Sequence, residues 1–254
     1  MRCALIAFAL SLLALAPARA DIGAARSAYE TGAYDQAIQA GESDASAAGL
    51  TLAAQALVAQ ALLAPRRADA AILDRAVKDS ERALALDPQS VDARLSLAVA
   101  IGMQGRRVSL AEAWRRGYAQ RGKRLIAEAM ALDPANARAI ALQGSWNLEV
   151  LRRAGRAGGM MLGAGYDKGV AAFDRARATA PDDPGIALHY AIALLALDPA
   201  KHGGKARDLL AAASTCKASN AFDASLREEA RRLGALLSSS GATAAAAMIN
   251  RRYL

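Results

Sequence analysis

The chain has 254 residues and a mass of 26.3 kDa; 54% of it is hydrophobic, 22% charged and 4% aromatic, with mean hydropathy +0.12 and formal net charge +8. It is too apolar for a disordered chain and long enough for one medium domain or a short repeat array with a continuous core. Alanine, the strongest helix former, fills 68 positions, which argues against an all-β fold, and 20 glycines with 7 prolines argue against collagen-like or linker-type sequences.

In chain order, the first element predicted is a secretory signal. Arg2 precedes an apolar run over 3–16 that ends in Pro17-Ala18-Arg19-Ala20, a small-x-small cleavage pattern. The run is shorter than the roughly 20 apolar residues that span a bilayer. Residues 1–20 are therefore read as a signal peptide, with a retained anchor as the alternative, and the protein as periplasmic or secreted. Loss of Arg2 and Arg19 leaves a mature chain from Asp21 with net charge +6. Cys3 leaves with the signal and does not adjoin the cleavage site, so no lipoprotein signal is formed. Cys216 then stands alone, makes no internal disulfide, and reads as a buried small apolar residue.

The mature chain repeats. Ala83-Leu84-Ala85-Leu86-Asp87-Pro88, Ala129-Met130-Ala131-Leu132-Asp133-Pro134 and Ala176-Arg177-Ala178-Thr179-Ala180-Pro181 put prolines 46 and 47 residues apart. Each closes one helical pattern and precedes another, over 91–101, 137–151 and 184–197. Proline is tolerated in the first turn of a helix and breaks its interior, so a proline at a fixed offset marks the joint between consecutive helices. A recurring joint predicts a helical solenoid.

The residues at these spacings resemble the tetratricopeptide repeat: Ala76, Ala83 and Pro88; Gly122, Ile126, Ala129 and Pro134; Gly169, Phe173, Ala176 and Pro181. Ala98, Gly144 and Ala191 fall at that family's close-packing position in the first helix of a pair. The opening segment Ala28-Tyr29, then Gly32-Ala33-Tyr34-Asp35-Gln36-Ala37-Ile38, is similar to the turn and second-helix start of one unit. The resemblance implies an all-α fold, a right-handed superhelical solenoid of antiparallel helix pairs over 21–254. Units are expected at 22–48, 50–88, 91–134, 137–181 and 184–217, with a C-terminal capping helix over 220–237 and a further helix over 242–253.

Two units are about a dozen residues too long, each between its first and second helix. The excess forms an arm at about 103–122, with a short helix near 110–118, and a glycine-rich, flexible arm at about 152–168. First-to-second-helix turns of a solenoid share an edge, so both arms are expected there, and insertions on one face often mark the binding face. Between Gly105 and Arg124, and from Arg152 to Lys168, eleven positive charges stand against Glu112 and Asp167 alone. Arg106, Arg107, Arg115, Arg116, Arg152 and Arg153, anchored by Trp114 and Tyr118, are the expected recognition surface for an acidic partner or an anionic membrane. Charge reversal of Arg115, Arg116, Arg152 and Arg153 is expected to abolish binding without changing the melting temperature. A second candidate surface is an apolar concave groove lined by Leu95, Val99, Leu148, Leu188 and Ile192; the alternative is that the C-terminal helix or an arm fills it.

No residue pattern carries catalysis. His189 and His202 lack partners at metal-ligand spacing, the glycine runs at 155–159 and 163–165 lack the strand and lysine of a phosphate loop, and no nucleophile elbow is present. Few aromatics and an export signal argue against nucleic acid. The expected function is a non-catalytic, cofactor-free scaffold that binds a partner protein or peptide. The alternative is a small-molecule or lipid binder associated with a transporter or the envelope.

Overall fold

The computed structural model describes residues 22–64 and 70–253; the expected signal peptide lies outside the described residues. Twelve helices occupy them: α1 Ile22–Thr31, α2 Tyr34–Asp44, α3 Ala47–Leu63, α4 Ala70–Leu86, α5 Val91–Arg106, α6 Leu110–Arg115, α7 Tyr118–Leu132, α8 Ala137–Leu162, α9 Tyr166–Thr179, α10 Pro184–Leu197, α11 Pro199–Thr215 and α12 Ala221–Tyr253. The pairs α1/α2, α3/α4, α5/α7, α8/α9 and α10/α11 pack in succession, an all-α solenoid.

The proline joints show why the chain folds this way. A residue before proline is pushed out of helical conformation, and Asp133 and Ala180 duly end α7 and α9 outside it, at ψ 89° and 76°. Two residues after each proline comes a side chain that caps the next helix: Ser90 accepts from Ala93 N at 3.2 Å, Asn136 from Ala139 N at 3.0 Å and Asp183 from Gly185 N at 2.9 Å. Each cap satisfies one of the amide donors that a helix start leaves open. Stop and start signals are thus built into one four-residue unit.

Small residues set the spacing between helices. A Cβ on Gly144 would lie 2.6 Å from Phe173 Cδ2 and 3.0 Å from Gly169 O, so α8 and α9 touch where the repeat pattern predicts a crossing. Ala98 and Ala191 are buried as well. Phe173 stacks on Tyr190 with centroids 4.4 Å apart, which links the α8/α9 pair to α10. α10 is buried on nearly every side from Pro184 to Leu195, as befits a helix held between α8, α11 and α12.

The last helix is bent by Gly241, whose φ of 82° and ψ of 173° interrupt α12. Its second half folds back, so that Arg252 Nε lies 3.5 Å from Glu229 on the first half. α12 packs on α10 and α11 and also reaches the opposite end of the solenoid. Ala221 lies against Gly32, and Arg252 donates to Leu63 O at 3.0 Å. Groups from distant helices therefore act on one another: burial, then Tyr34, raise the Tyr29 phenol to about 12, and the charges of Arg138, Asp223 and Asp92 also act on it. Cys216 is buried, and burial raises its thiol.

Candidate functional site

The arms are shorter and more ordered than their sequences suggest. α5 continues to Arg106 and α7 begins at Tyr118, so the first arm is residues 107–117 and is built around α6. Ser109 caps α6 by accepting from Glu112 N at 3.2 Å. The second arm is helical rather than flexible. Gly155, at φ 64°, interrupts α8, the chain resumes as helix to Leu162, and Gly163 ends it in left-handed conformation at φ 73°. Left-handed backbone at those two points favours glycine, and a glycine just past a helix end satisfies its last carbonyls.

The two arms meet. Arg153 donates to the main-chain oxygens of Gly105 and, at 2.9 Å, Val108, reaching across from α8 to the end of α5. Lys123 Nζ donates to Leu162 O at 2.7 Å, from α7 to the end of the second arm. Two lengthened turns of neighbouring units are thereby clamped into one edge.

This geometry corrects the charge reading. Acids outside the two sequence windows come into the edge because helix packing, not chain order, decides neighbours. Glu149 lies 3.7 Å from Arg106 and is held by Arg152 at 2.8 Å. Burial pushes its carboxyl up, but the Arg152 hydrogen bond and the charges of Arg106, Arg152 and Arg153 leave it below the usual range. Glu81 pairs with Arg121, and Glu128 lies 3.7 Å from Arg124. Arg106, Arg152 and Arg153 are thus structural groups, and reversing the latter two would disrupt the arms themselves. Tyr118 is half-buried in the core, beside Gly105, with its hydroxyl accepting from Arg116 at 3.3 Å. Arg107 and Trp114 are exposed, as are Arg115 and Arg116, which share Glu112 and hold it down to about 2.

The expected concave groove is closed. Leu95 packs with Ala129 and Ala139, and Val99 against the clusters of α2–α4. Leu148 is 1% exposed, beneath Gly169. Alanine-rich helices approach closely on both flanks, so these side chains fill inter-helix seams instead of facing inward. Leu188 and Ile192 border a gap of ≈ 290 Å³ between α3, α10 and α12, which is what remains once α12 crosses the inner face. His189 sits there with its imidazole pKa lowered, first by burial and then by Arg106. His202 stacks on Tyr166 at 5.4 Å. Among the described residues no three His, Cys, Asp or Glu side chains gather as metal ligands, and no helix is long and apolar enough to cross a membrane.

Sequence reasoning placed Trp114 on the edge but missed three further exposed apolar side chains. Leu110, Met160 and Met161 are exposed by 46%, 82% and 70%, together with Trp114 at 44%. Their signal was two adjacent methionines in a glycine-rich stretch, which reads as loop until the stretch is seen to be helical.

The solenoid is similar in fold to a thermophilic TPR protein from Thermus thermophilus, known from its crystal structure. The TM-score is 0.59 at 18% identity, over 83% of this chain and 95% of that one. The described helices have the tetratricopeptide-repeat fold. No protein-family model matches the sequence, and no curated protein matches it.

Proposed function

We propose that this chain is an exported, non-catalytic binding module that takes a segment of a partner protein on the edge where its two arms are clamped together. One observation carries the reading. Among the described residues only six large hydrophobic side chains are exposed, and four of them, Leu110, Trp114, Met160 and Met161, are on the arms. Exposed apolar side chains on two arms that also carry exposed arginines, Arg107, Arg115, Arg116 and Arg156, suit a partner segment that mixes apolar residues with carboxylates. Tryptophan supplies a large rigid anchor, and methionine adapts to irregular surfaces.

The test is selection from a displayed library of short linear peptides. Enriched sequences should combine aromatic or aliphatic residues with Asp and Glu, and bind less tightly as salt is raised. Trp114→Ser combined with Met160→Ser should weaken them by about tenfold or more. Enrichment of basic peptides, or affinity indifferent to those substitutions, would refute the reading. Tighter binding to vesicles containing anionic phospholipid than to any selected peptide would replace the partner protein by a membrane surface.

A further inference from the structure

Beside the clamped edge, α7, α8 and α9 enclose a cleft of ≈ 490 Å³, larger than the gap at the inner face and within the range of small-molecule sites. Its floor is apolar: Ile126 and Ala172 are buried, and the ring of Trp146 forms one wall. Trp146 is fixed, because its indole N–H donates to Ala119 O at 2.9 Å and Lys123 Nζ stands 5.4 Å from the ring centroid. The polar part of the lining carries one sign of charge, with Lys123, Lys168 and Arg175 present and no carboxylate among the described lining residues.

The cations are placed by the fold. Lys123 and Lys168 donate to the consecutive carbonyls of Leu162 and Gly163, at 2.7 and 3.0 Å. Those carbonyls close the second arm, where the helix end is partially negative. Each ammonium has three donors, so both keep donors for a ligand after this contact. The Arg175 side chain has no hydrogen-bond or ion-pair partner among the described residues, and its planar fork suits a carboxylate or phosphate. A rigid aromatic wall, an apolar floor and three like charges without a counter-ion form an arrangement that an organic anion would complete.

We propose that this cleft binds an organic anion, a carboxylate or phosphate group attached to a flat apolar body, with the body against Trp146 and the anion between Lys168, Arg175 and Lys123. The proposal stands apart from the docking reading, since it concerns the α7–α9 flank and uses none of Leu110, Trp114, Met160 or Met161.

Isothermal titration of the full protein with 1-naphthoate, 1-naphthyl phosphate and 1-naphthylmethylamine tests it. At least one of the two anions should bind saturably and the amine should not; which anion binds identifies the acid group. Lys168→Gln and Arg175→Gln should each weaken the anion by about tenfold, since each removes a charge-assisted contact. Arg175→Gln is the decisive variant, because that side chain supports nothing else in the fold, and an unchanged thermal transition would show this. Met160→Ser with Met161→Ser should leave naphthyl binding as it is. No binding of either anion, equal binding of the amine, or full affinity in Arg175→Gln would overturn the proposal and leave the docking reading standing. Loss of anion binding in the methionine variant would overturn its separation from that edge.

Discussion

Replacing Gly144 by alanine separates a packing requirement from a helix preference. In an open helix interior, Gly→Ala stabilises by roughly 0.5–1 kcal/mol, because alanine loses less backbone freedom on folding. Gly102 supplies that reference: it lies inside α5, and a Cβ there meets nothing within 4 Å. At Gly144 the same methyl would lie 2.6 Å from Phe173 Cδ2, 2.9 Å from its Cγ and 3.0 Å from Gly169 O. Phe173 has no room to yield, being fully buried and stacked on Tyr190 with the rings 4° from parallel, and Gly169 O is backbone. Overpacking of this kind costs about 1–3 kcal/mol, and because the propensity gain is common to both sites, that cost is the expected difference between the two variants. Urea denaturation of Gly102→Ala, Gly144→Ala and the parent protein measures it. Gly102→Ala should raise the midpoint, Gly144→Ala should lose that gain or fall below the parent, and Gly144→Leu should fall further. A Gly144→Ala protein as stable as Gly102→Ala would refute the α8–α9 crossing.

Further predictions concern buried charge, the clamp and export. Asp79 is 3% exposed, and its carboxyl is raised from 3.8 to about 6 by burial first and then by Glu42. The native carboxyl holds its proton more tightly than the unfolded one, so its contribution is full below about pH 4 and lost as pH rises through about 6. Asp79→Asn should therefore be more stable than the parent at pH 7.5, by at most about 3 kcal/mol, and flatten stability between pH 4 and 6; urea midpoints across that range check this. Arg153→Gln should cost roughly 1–3 kcal/mol and speed hydrogen exchange over 105–117, whereas Arg115→Glu, at an exposed position, should leave the urea midpoint close to that of the parent. N-terminal sequencing of the exported protein should begin at Asp21 or within a residue or two of it.

What the sequence made legible were the features encoded locally. The run from Asp87 to Ser90 contains a helix stop, a proline and the next cap in four residues, and its recurrence at 133–136 marks the units without any tertiary information. Gly144 and Phe173 were equally readable, because a close crossing needs a small residue at a fixed offset. Of the two readings of the groove, open or filled by the C-terminal helix, the filled one holds, and the sequence did not decide between them. Facing was inferred for Leu95 and Leu148 from their crossing residues, yet in alanine-rich helices both flanks are open to close packing, and the seam took those side chains. The C-terminal hairpin depends on a left-handed Gly241, and one glycine among small residues does not declare its φ. Charge was misread for a related reason: Glu149 lies just outside the window that begins at Arg152, and Glu81 is brought to Arg121 only by the packing of α4 near α7.

Hydrogen-exchange mass spectrometry of the protein with and without a saturating selected peptide decides whether the clamped arms form the docking edge. Protection should concentrate in residues 107–117 and 156–162, with the inner segments of α10 and α12 unchanged. Protection of 186–195 and 225–232, with both arms exchanging as in the free protein, would contradict docking on that edge.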